Sequence, residues 1–136
     1  MTPICPLELL PIAAAELFAA LGMTIQLPAS PAFASDSSSS YANESHTSWT
    51  ERTWVQGDIR VKLREERVSY AYYNDRDELD ARAEIRGLPG GIVLQLDGAE
   101  GLVRPLASGG DEAAQARILA AWPIAVERAV GRKQTD

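Results

Sequence analysis

Strict alternation of apolar and charged residues from residue 58 to residue 64 is the feature that most constrains the fold of this chain. In this stretch Ile59, Val61 and Leu63 alternate with Arg60, Lys62 and Arg64. Successive side chains of a β-strand point to opposite faces of the sheet. The pattern therefore predicts a half-buried strand with its apolar residues facing inward.

The alternation changes phase shortly after this strand. Residues 65–67 are Glu-Glu-Arg, and the apolar positions resume at Val68, Tyr70 and Tyr72. We expect a turn or bulge at 65–67, because a slip of one residue moves every following side chain to the other face. The polar residues 74–77 are typical of a turn.

Three further strands are predicted before the C-terminal region. Alternation over residues 79–86 favours a strand, although its alanines and charges also suit a short helix. A glycine- and proline-rich turn at 87–91 precedes the apolar run 92–96, which we interpret as a central strand. Asp97-Gly98 is a strong hairpin signal, and residues 102–106 form the return strand. Pro105 places that strand at an edge or a strand end.

The last predicted element is a helix. Gly109-Gly110 precede two acids, Asp111 and Glu112, which favour the positive end of a helix. Apolar residues then recur at helical spacing up to Val130, and Gly131 stands where a helix is expected to end. Pro123 lies in the middle and is expected to kink or split the helix, at a cost of about 3 kcal/mol if it is not accommodated.

These elements predict an α+β fold, an antiparallel β-sheet of four to six strands with one C-terminal helix packed on it. Strands followed by a long terminal helix resemble the second half of a helix-grip (START-like) domain. That fold encloses apolar ligands. The resemblance is one of topology and rests on no motif.

The first 47 residues differ in composition from the rest of the chain. No Lys or Arg precedes Arg52, and residues 7–27 are mostly apolar. Ala32-Phe33-Ala34, preceded by prolines and followed by a serine tract, fits cleavage by a signal peptidase after Ala34. The predicted organisation is a signal peptide at 1–34, a polar disordered tail at 35–48 and a single α+β domain at 49–133.

An alternative for the N-terminal region remains open. The basic start of a signal peptide is missing, and Glu8 and Glu16 interrupt the apolar segment. Residues of this segment also share one face at helical spacing, namely Leu7, Leu10, Ala14, Leu17, Phe18 and Leu21. Such a pattern is typical of an amphipathic helix that belongs to the mature fold. A membrane span is not expected, because Pro11 and Glu16 break the run.

Composition argues against several classes of function. A formal net charge of −6 disfavours a general nucleic-acid binder. The chain has one cysteine and one histidine, Cys5 and His46, so the usual donors of a transition-metal site are missing. The acidic cluster Asp75, Asp77, Glu78 and Asp80 does not match a calcium-binding loop, and we interpret it as a solvated turn. We therefore predict no metal, no cofactor and no enzymatic activity.

Two groups of residues are candidates for a ligand or partner surface. Arg60, Lys62 and Arg64 project from one strand face, and Arg82 and Arg86 would join them if their strands are neighbours. The second group is aromatic and includes Trp54, Tyr70, Tyr72 and Tyr73. Tyr72 and Tyr73 have opposite strand phases, so both rings cannot face one core. Core packing of the aromatics and a solvated mixed-charge face are the competing interpretations.

The leading functional hypothesis is a small exported protein, periplasmic or secreted, that acts as a non-enzymatic accessory or binding protein of unknown partner. The alternative is an intracellular, cytoplasmic carrier of a small apolar ligand, with residues 7–27 as a structural helix. An enzyme that uses the acidic loop is a third, weaker hypothesis.

Overall fold

The structure, a computed structural model, describes residues 4–28, 30–41, 45–70, 76–99 and 101–135. A 3₁₀ turn, Leu7–Leu9, leads into helix α1, Leu10–Ala20. The strands are β1 (Phe33–Tyr41), β2 (Ser45–Gln56), β3 (Ile59–Tyr70), β4 (Arg76–Arg86), β5 (Val93–Gly98) and β6 (Arg104–Ser108). Helix α2, Glu112–Thr135, follows the last of these strands.

The strands form one antiparallel sheet in the order β1-β2-β3-β4-β5-β6. Each strand pairs with its neighbour in sequence, which is the topology of a meander. This confirms the predicted α+β class, with an antiparallel sheet and a C-terminal helix. The turn before β5 is also present, as a short 3₁₀ segment at Pro89–Gly91.

Both helices pack on one face of the sheet and leave the other face without a helix. The fully buried side chains come from the two helices and from the facing side of the strands, and include Phe18, Leu17, Val61, Ile85, Leu94, Ile118 and Trp122. Antiparallel sheets commonly bury one face and expose the other, so the alternation of β3 and β4 follows directly from this arrangement. Within the described ranges, no helix has the length and apolarity needed to cross a membrane.

Helix α1 is an integral part of the core. Ala13, Ala14, Leu17 and Phe18 are completely buried, and the preceding segment is held by two main-chain hydrogen bonds of 2.9 Å between Cys5 and Leu102. This is the arrangement expected of a structural helix, the alternative considered for residues 7–27. Processing after Ala34 stays a prediction, and such processing would remove α1 from this core.

Strands also occur where the sequence predicts a polar tail at 35–48. Residues 33–41 pair with β2 in an unbroken register from Phe33 opposite Thr53 to Tyr41 opposite Ser45. The side chains from Phe33 to Ser39 are exposed, so β1 is held by main-chain hydrogen bonds and buries little. Hydrophobic patterning has no signal for such a strand, because neither of its faces contributes to a core.

The turn or bulge expected at 65–67 is absent, and that prediction is wrong. Strand β3 runs without interruption, with Glu65 opposite Ala81 and Val68 opposite Glu78. Beyond Leu63 the inward positions are no longer sealed, since Glu65 is partly exposed and Arg67 is exposed. The phase change in the sequence therefore marks the point on this continuous strand beyond which the inward-facing side chains are no longer buried.

The split expected at Pro123 is not observed, because α2 continues through this residue as one helix to Thr135. Proline lacks the N–H that would bond to the carbonyl of Leu119. Trp122, which precedes it, and Val126, about one turn later, are nearly fully buried, and their packing supports the helix at this position. Gly131 lies inside the helix and does not end it.

Candidate functional site

The register of β3 and β4 brings the predicted cationic residues together on the helix-free face. Arg64 lies directly opposite Arg82, and Arg60 lies directly opposite Arg86. Lys62 lies between these two pairs, opposite Glu84. The two strands are neighbours, which is the condition that the sequence left open for joining the arginines into one patch.

An open groove occupies the centre of this face, and we call it the cationic groove. It has a volume of about 490 Å³, and its lining comprises Lys62, Arg64, Arg82, Ala83, Glu84, Gln95, Leu96, Asp97, Arg104 and Leu106. Four cations face two acids in this lining, a net charge of +2. The groove is therefore positive although the whole chain carries a net charge of −6.

Ion pairs on the helix-free face leave the central arginines without a partner. Lys62 lies 3.3 Å from Glu51, Arg104 lies 3.0 Å from Asp97, and Arg86 is paired with Glu84. Within the described parts of the chain, neither Arg64 nor Arg82 forms an ion pair. Like charges directly opposite each other on neighbouring strands are destabilising. On their other neighbouring strands, Arg64 lies opposite Glu51 and Arg82 lies opposite Asp97, and these acids offset part of the repulsion although their ion pairs are with Lys62 and Arg104.

Two further acids lie beside the arginine pair on the same face. Glu66 lies opposite Asp80, two residues along the strands from Arg64 and Arg82. The four side chains line a smaller depression of about 250 Å³, whose two cations and two acids balance. Diagonal positions on neighbouring strands are about 7–8 Å apart, which is within reach of a long side chain such as arginine. These acids bound the positive region on one side and reduce its charge there.

Of the aromatic candidates, Trp54 is the one whose side chain the structure describes, and it does not lie with these cations. Trp54 is buried at 5% exposure on the helix-covered face, which agrees with core packing. Its indole Nε1 atom is buried and has no hydrogen-bond partner among the described residues. Tyr70 ends β3 with its backbone opposite Ser45 and Arg76. Tyr72 and Tyr73 lie outside the described residues.

The remaining titratable candidates are distributed over the fold. His46 is in β2, opposite Ser40 and Ser69. Burial, together with the charge of Glu8, raises the pKa of the Cys5 thiol to about 12, so this cysteine is not an activated nucleophile. Among the residues whose side chains are described, no group of three or more His, Cys, Asp or Glu is placed to hold a metal ion.

Seven groove residues were not among the sequence candidates, namely Ala83, Glu84, Gln95, Leu96, Asp97, Arg104 and Leu106. Four of them occupy alternate, outward-facing positions of β5 and β6, with Gln95 opposite Leu106 and Asp97 opposite Arg104. The sequence feature that could have identified these residues is the predicted hairpin at Asp97-Gly98. Its outward-facing residues could have been added to the candidate surface if β5 had been placed beside β4.

The chemistry of the cationic groove is that of anion recognition. Guanidinium groups present planar sets of N–H donors that match carboxylate and phosphate oxygens. The two acids in the lining are both engaged in ion pairs, and the lining contains no Ser, Thr, Cys or His. No protein-family profile, curated protein or solved structure matches the chain.

Proposed function

We propose that this protein is a non-enzymatic binding protein that recognises its partner through the cationic groove. The single observation that carries this proposal is the placement of Arg64 directly opposite Arg82, with neither paired to an acid among the described residues. Residues that bind ligands are often suboptimal for stability, since the site is built for its partner. A partner with negative charge would relieve the repulsion.

The organisation of the two faces supports a surface site. One face is covered by helices, and α2, which cleavage after Ala34 would leave in place, contributes buried side chains such as Trp122 and Val126 to the space between helix and sheet. The other face carries the charged groove. A binding function on the helix-free face leaves the core intact.

The alternative, a cytoplasmic carrier of a small apolar ligand, is favoured by one observation. Helix α1 packs against α2 and the sheet, as a structural helix in that hypothesis requires. An apolar ligand would have to enter the layer between helices and sheet. There Leu10, Leu17 and Leu94 are already completely buried by other side chains, so entry requires these elements to separate.

Export to the periplasm or the medium is part of the proposal. Support comes from the Ala32-Phe33-Ala34 sequence, whose Phe33 side chain is 65% exposed at the start of β1. Intact mass measured by cell fraction in a bacterial host tests this point. A periplasmic species that begins at Ser35 would support export, and a full-length cytoplasmic species would contradict it.

A thermal-shift screen of anionic, cationic and apolar small molecules tests the location of the binding site. Gln95→Trp places a large side chain in the groove, while Ser37→Trp is a matched control on the same face at the opposite edge of the sheet. Both positions are exposed, so neither substitution enters the core. We expect ligands that stabilise the natural protein to lose their effect in Gln95→Trp and keep it in Ser37→Trp.

The same screen discriminates between the two functions. Apolar ligands that stabilise both tryptophan variants equally would place the site inside the fold and favour the carrier. Ligands of any chemistry that are lost only in Gln95→Trp would support the groove.

A further inference from the structure

We infer that Arg64 and Arg82 form an oxyanion site that selects a dianionic phosphate monoester. This inference rests on the proposed function and adds the chemistry of the ligand. It identifies the charged group that the groove recognises, whether that group is carried by a soluble ester or by a lipid headgroup.

The charge of the groove favours a dianion. Its lining carries a net charge of +2, and the acids Glu84 and Asp97 are already bound to Arg86 and Arg104. A carboxylate or sulfate ester carries one negative charge and would leave one arginine uncompensated. A phosphate monoester carries close to two negative charges above its second pKa of about 6. Glu51, which lies opposite Arg64, is held by Lys62, and Glu66 and Asp80 lie outside this lining, at one end of the arginine pair. Within the groove, a single dianion therefore matches the two guanidinium groups that no ion pair engages.

The backbone geometry brings both arginines to one ligand. Side chains directly opposite each other on antiparallel strands have Cβ atoms about 4.5–5.5 Å apart. Arg64 and Arg82 occupy such a position, and both are exposed on the helix-free face. Each guanidinium group can donate two parallel N–H···O bonds to a phosphate. Two such forks from adjacent strands surround one phosphate from opposite sides.

The other parts of the groove suit the organic part of an ester. Leu106 is 61% exposed although it is a large apolar residue, and it lies opposite Gln95 in the groove. Small-molecule sites combine apolar walls with a few polar groups, in volumes of about 300–1,000 Å³. The 490 Å³ groove falls within this range. We therefore expect an ester with an apolar group to bind more tightly than inorganic phosphate.

Calorimetric titration of the full chain with phenyl phosphate and phenyl sulfate tests the inference. The two probes share the ring and the tetrahedral anion but differ in charge above pH 6. We expect phenyl phosphate to bind at least about tenfold more tightly at pH 7.5, and the difference to shrink towards pH 5.5 as the phosphate gains a proton. Equal affinities for the two probes at pH 7.5 would overturn the selection of a dianion.

Variants assign the binding to the two arginines. Arg64→Gln and Arg82→Gln are each expected to weaken phenyl phosphate binding about tenfold or more, because each removes charged hydrogen bonds. Arg117→Gln, an exposed position on α2, is the control and is expected to change affinity less than twofold. Loss of affinity in all three variants alike would indicate general charge attraction and overturn the site.

Folding of the variants is checked independently by their melting temperatures. Both arginines are exposed and neither forms an ion pair among the described residues, so removing one is expected to leave the melting temperature nearly unchanged. Weaker binding can then not be attributed to unfolding. Arg64→Lys keeps the charge but loses the fork, and we expect its affinity to fall between those of Arg64→Gln and the natural protein.

A further arm distinguishes the source of the phosphate. Vesicles that contain phosphatidic acid present a phosphate monoester at a membrane surface, and vesicles of phosphatidylcholine alone serve as their control. Binding of both phenyl phosphate and phosphatidic acid, lost in Arg82→Gln, would support the site with a lipid source. Binding of phenyl phosphate alone would support a soluble ligand. Vesicle binding without phenyl phosphate binding would overturn the inference.

Failure of this inference and failure of the proposed function have different signatures. If the groove binds another chemistry, the ligands of the thermal-shift screen remain sensitive to Gln95→Trp while phenyl phosphate shows no binding. If the groove is not a binding site, neither experiment shows an effect that depends on its residues.

Discussion

Truncation of Leu17 in α1 tests the place of this helix in the fold. Leu17 is completely buried and belongs to the common core of helices and sheet. Leu→Ala substitutions at such positions lower the free energy of unfolding by about 2.7–5 kcal/mol, from lost transfer free energy and the cavity left behind. The total stability of a domain is about 5–15 kcal/mol. Leu17→Ala is therefore expected to remove a large part of the stability.

Ile12→Ala is the matched control on the same helix. Its side chain is 36% exposed, so the substitution removes less buried surface and we expect a loss of about 1 kcal/mol or less. Urea unfolding of the full chain, followed by circular dichroism, measures both variants. A change of 1 kcal/mol shifts the melting temperature of a domain of this size by several degrees. In thermal unfolding, Leu17→Ala should therefore lower the melting temperature by on the order of 10 °C.

Equal stabilities of Leu17→Ala, Ile12→Ala and the natural chain would refute the reasoning. That result would mean that α1 does not pack in the folded protein. It would favour the domain division predicted from sequence, in which residues 1–34 are a cleaved segment. A large difference between the two variants would show that α1 is part of the folded core.

Three further predictions follow from individual contacts. Arg132→Ala should lower stability by about 1–3 kcal/mol, because it removes the 2.7 Å ion pair of the buried Glu16, whereas Arg128→Ala nearby should have little effect in the same urea experiment. Arg64→Thr should change the free energy of unfolding by less than about 1 kcal/mol in thermal unfolding, since Arg82 on one neighbouring strand repels Arg64 and Glu51 on the other attracts it, and a larger loss would contradict this. The pKa of Cys5 is raised to about 12 from 9.0, so the folded state favours the neutral thiol. Its contribution to stability is present below pH 9 and is lost as pH rises towards 12, and iodoacetamide at pH 8 should label the thiol only on unfolding.

Sequence analysis predicted an element correctly where the side chains on its two faces differ in burial, because this difference leaves an alternating pattern in the sequence. Ile59, Val61 and Leu63 are buried while Arg60 and Lys62 are exposed, so alternation predicted the strand and its orientation. Strand β1 could not be predicted in this way, because Ser35 and Ser37 are exposed and the strand is held by its backbone.

The burial of the charged residue Glu16 in α1 could not be predicted from the sequence either. Glu16 in an apolar segment argued against a signal peptide, but the sequence offered no partner for it. The structure places it 2.7 Å from Arg132, near the end of the chain. A contact between residues so far apart in sequence has no local pattern, so only the packing of α1 on α2 reveals it.

The candidate site was predicted in part for a similar reason. Arg60, Lys62 and Arg64 follow from the strand pattern, and Arg82 follows once the strand register is known. The absence of ion pairs at Arg64 and Arg82 depends on which acids their neighbours engage, such as Asp97 with Arg104. That depends on three-dimensional placement and has no signature in a single strand.

The packing of α1 against α2 has a consequence for the order of events during synthesis. Helix α1 precedes the six strands and α2 follows them, so the surface of α2 that covers α1 does not exist until α2 itself has been synthesised. At about 5–20 residues per second, the apolar face of α1 waits on the order of 10 s for its partner. During this interval α1 is open to targeting factors and proteases, and completion of α2 closes it. If the chain is exported as proposed, export and folding compete kinetically for the same helix.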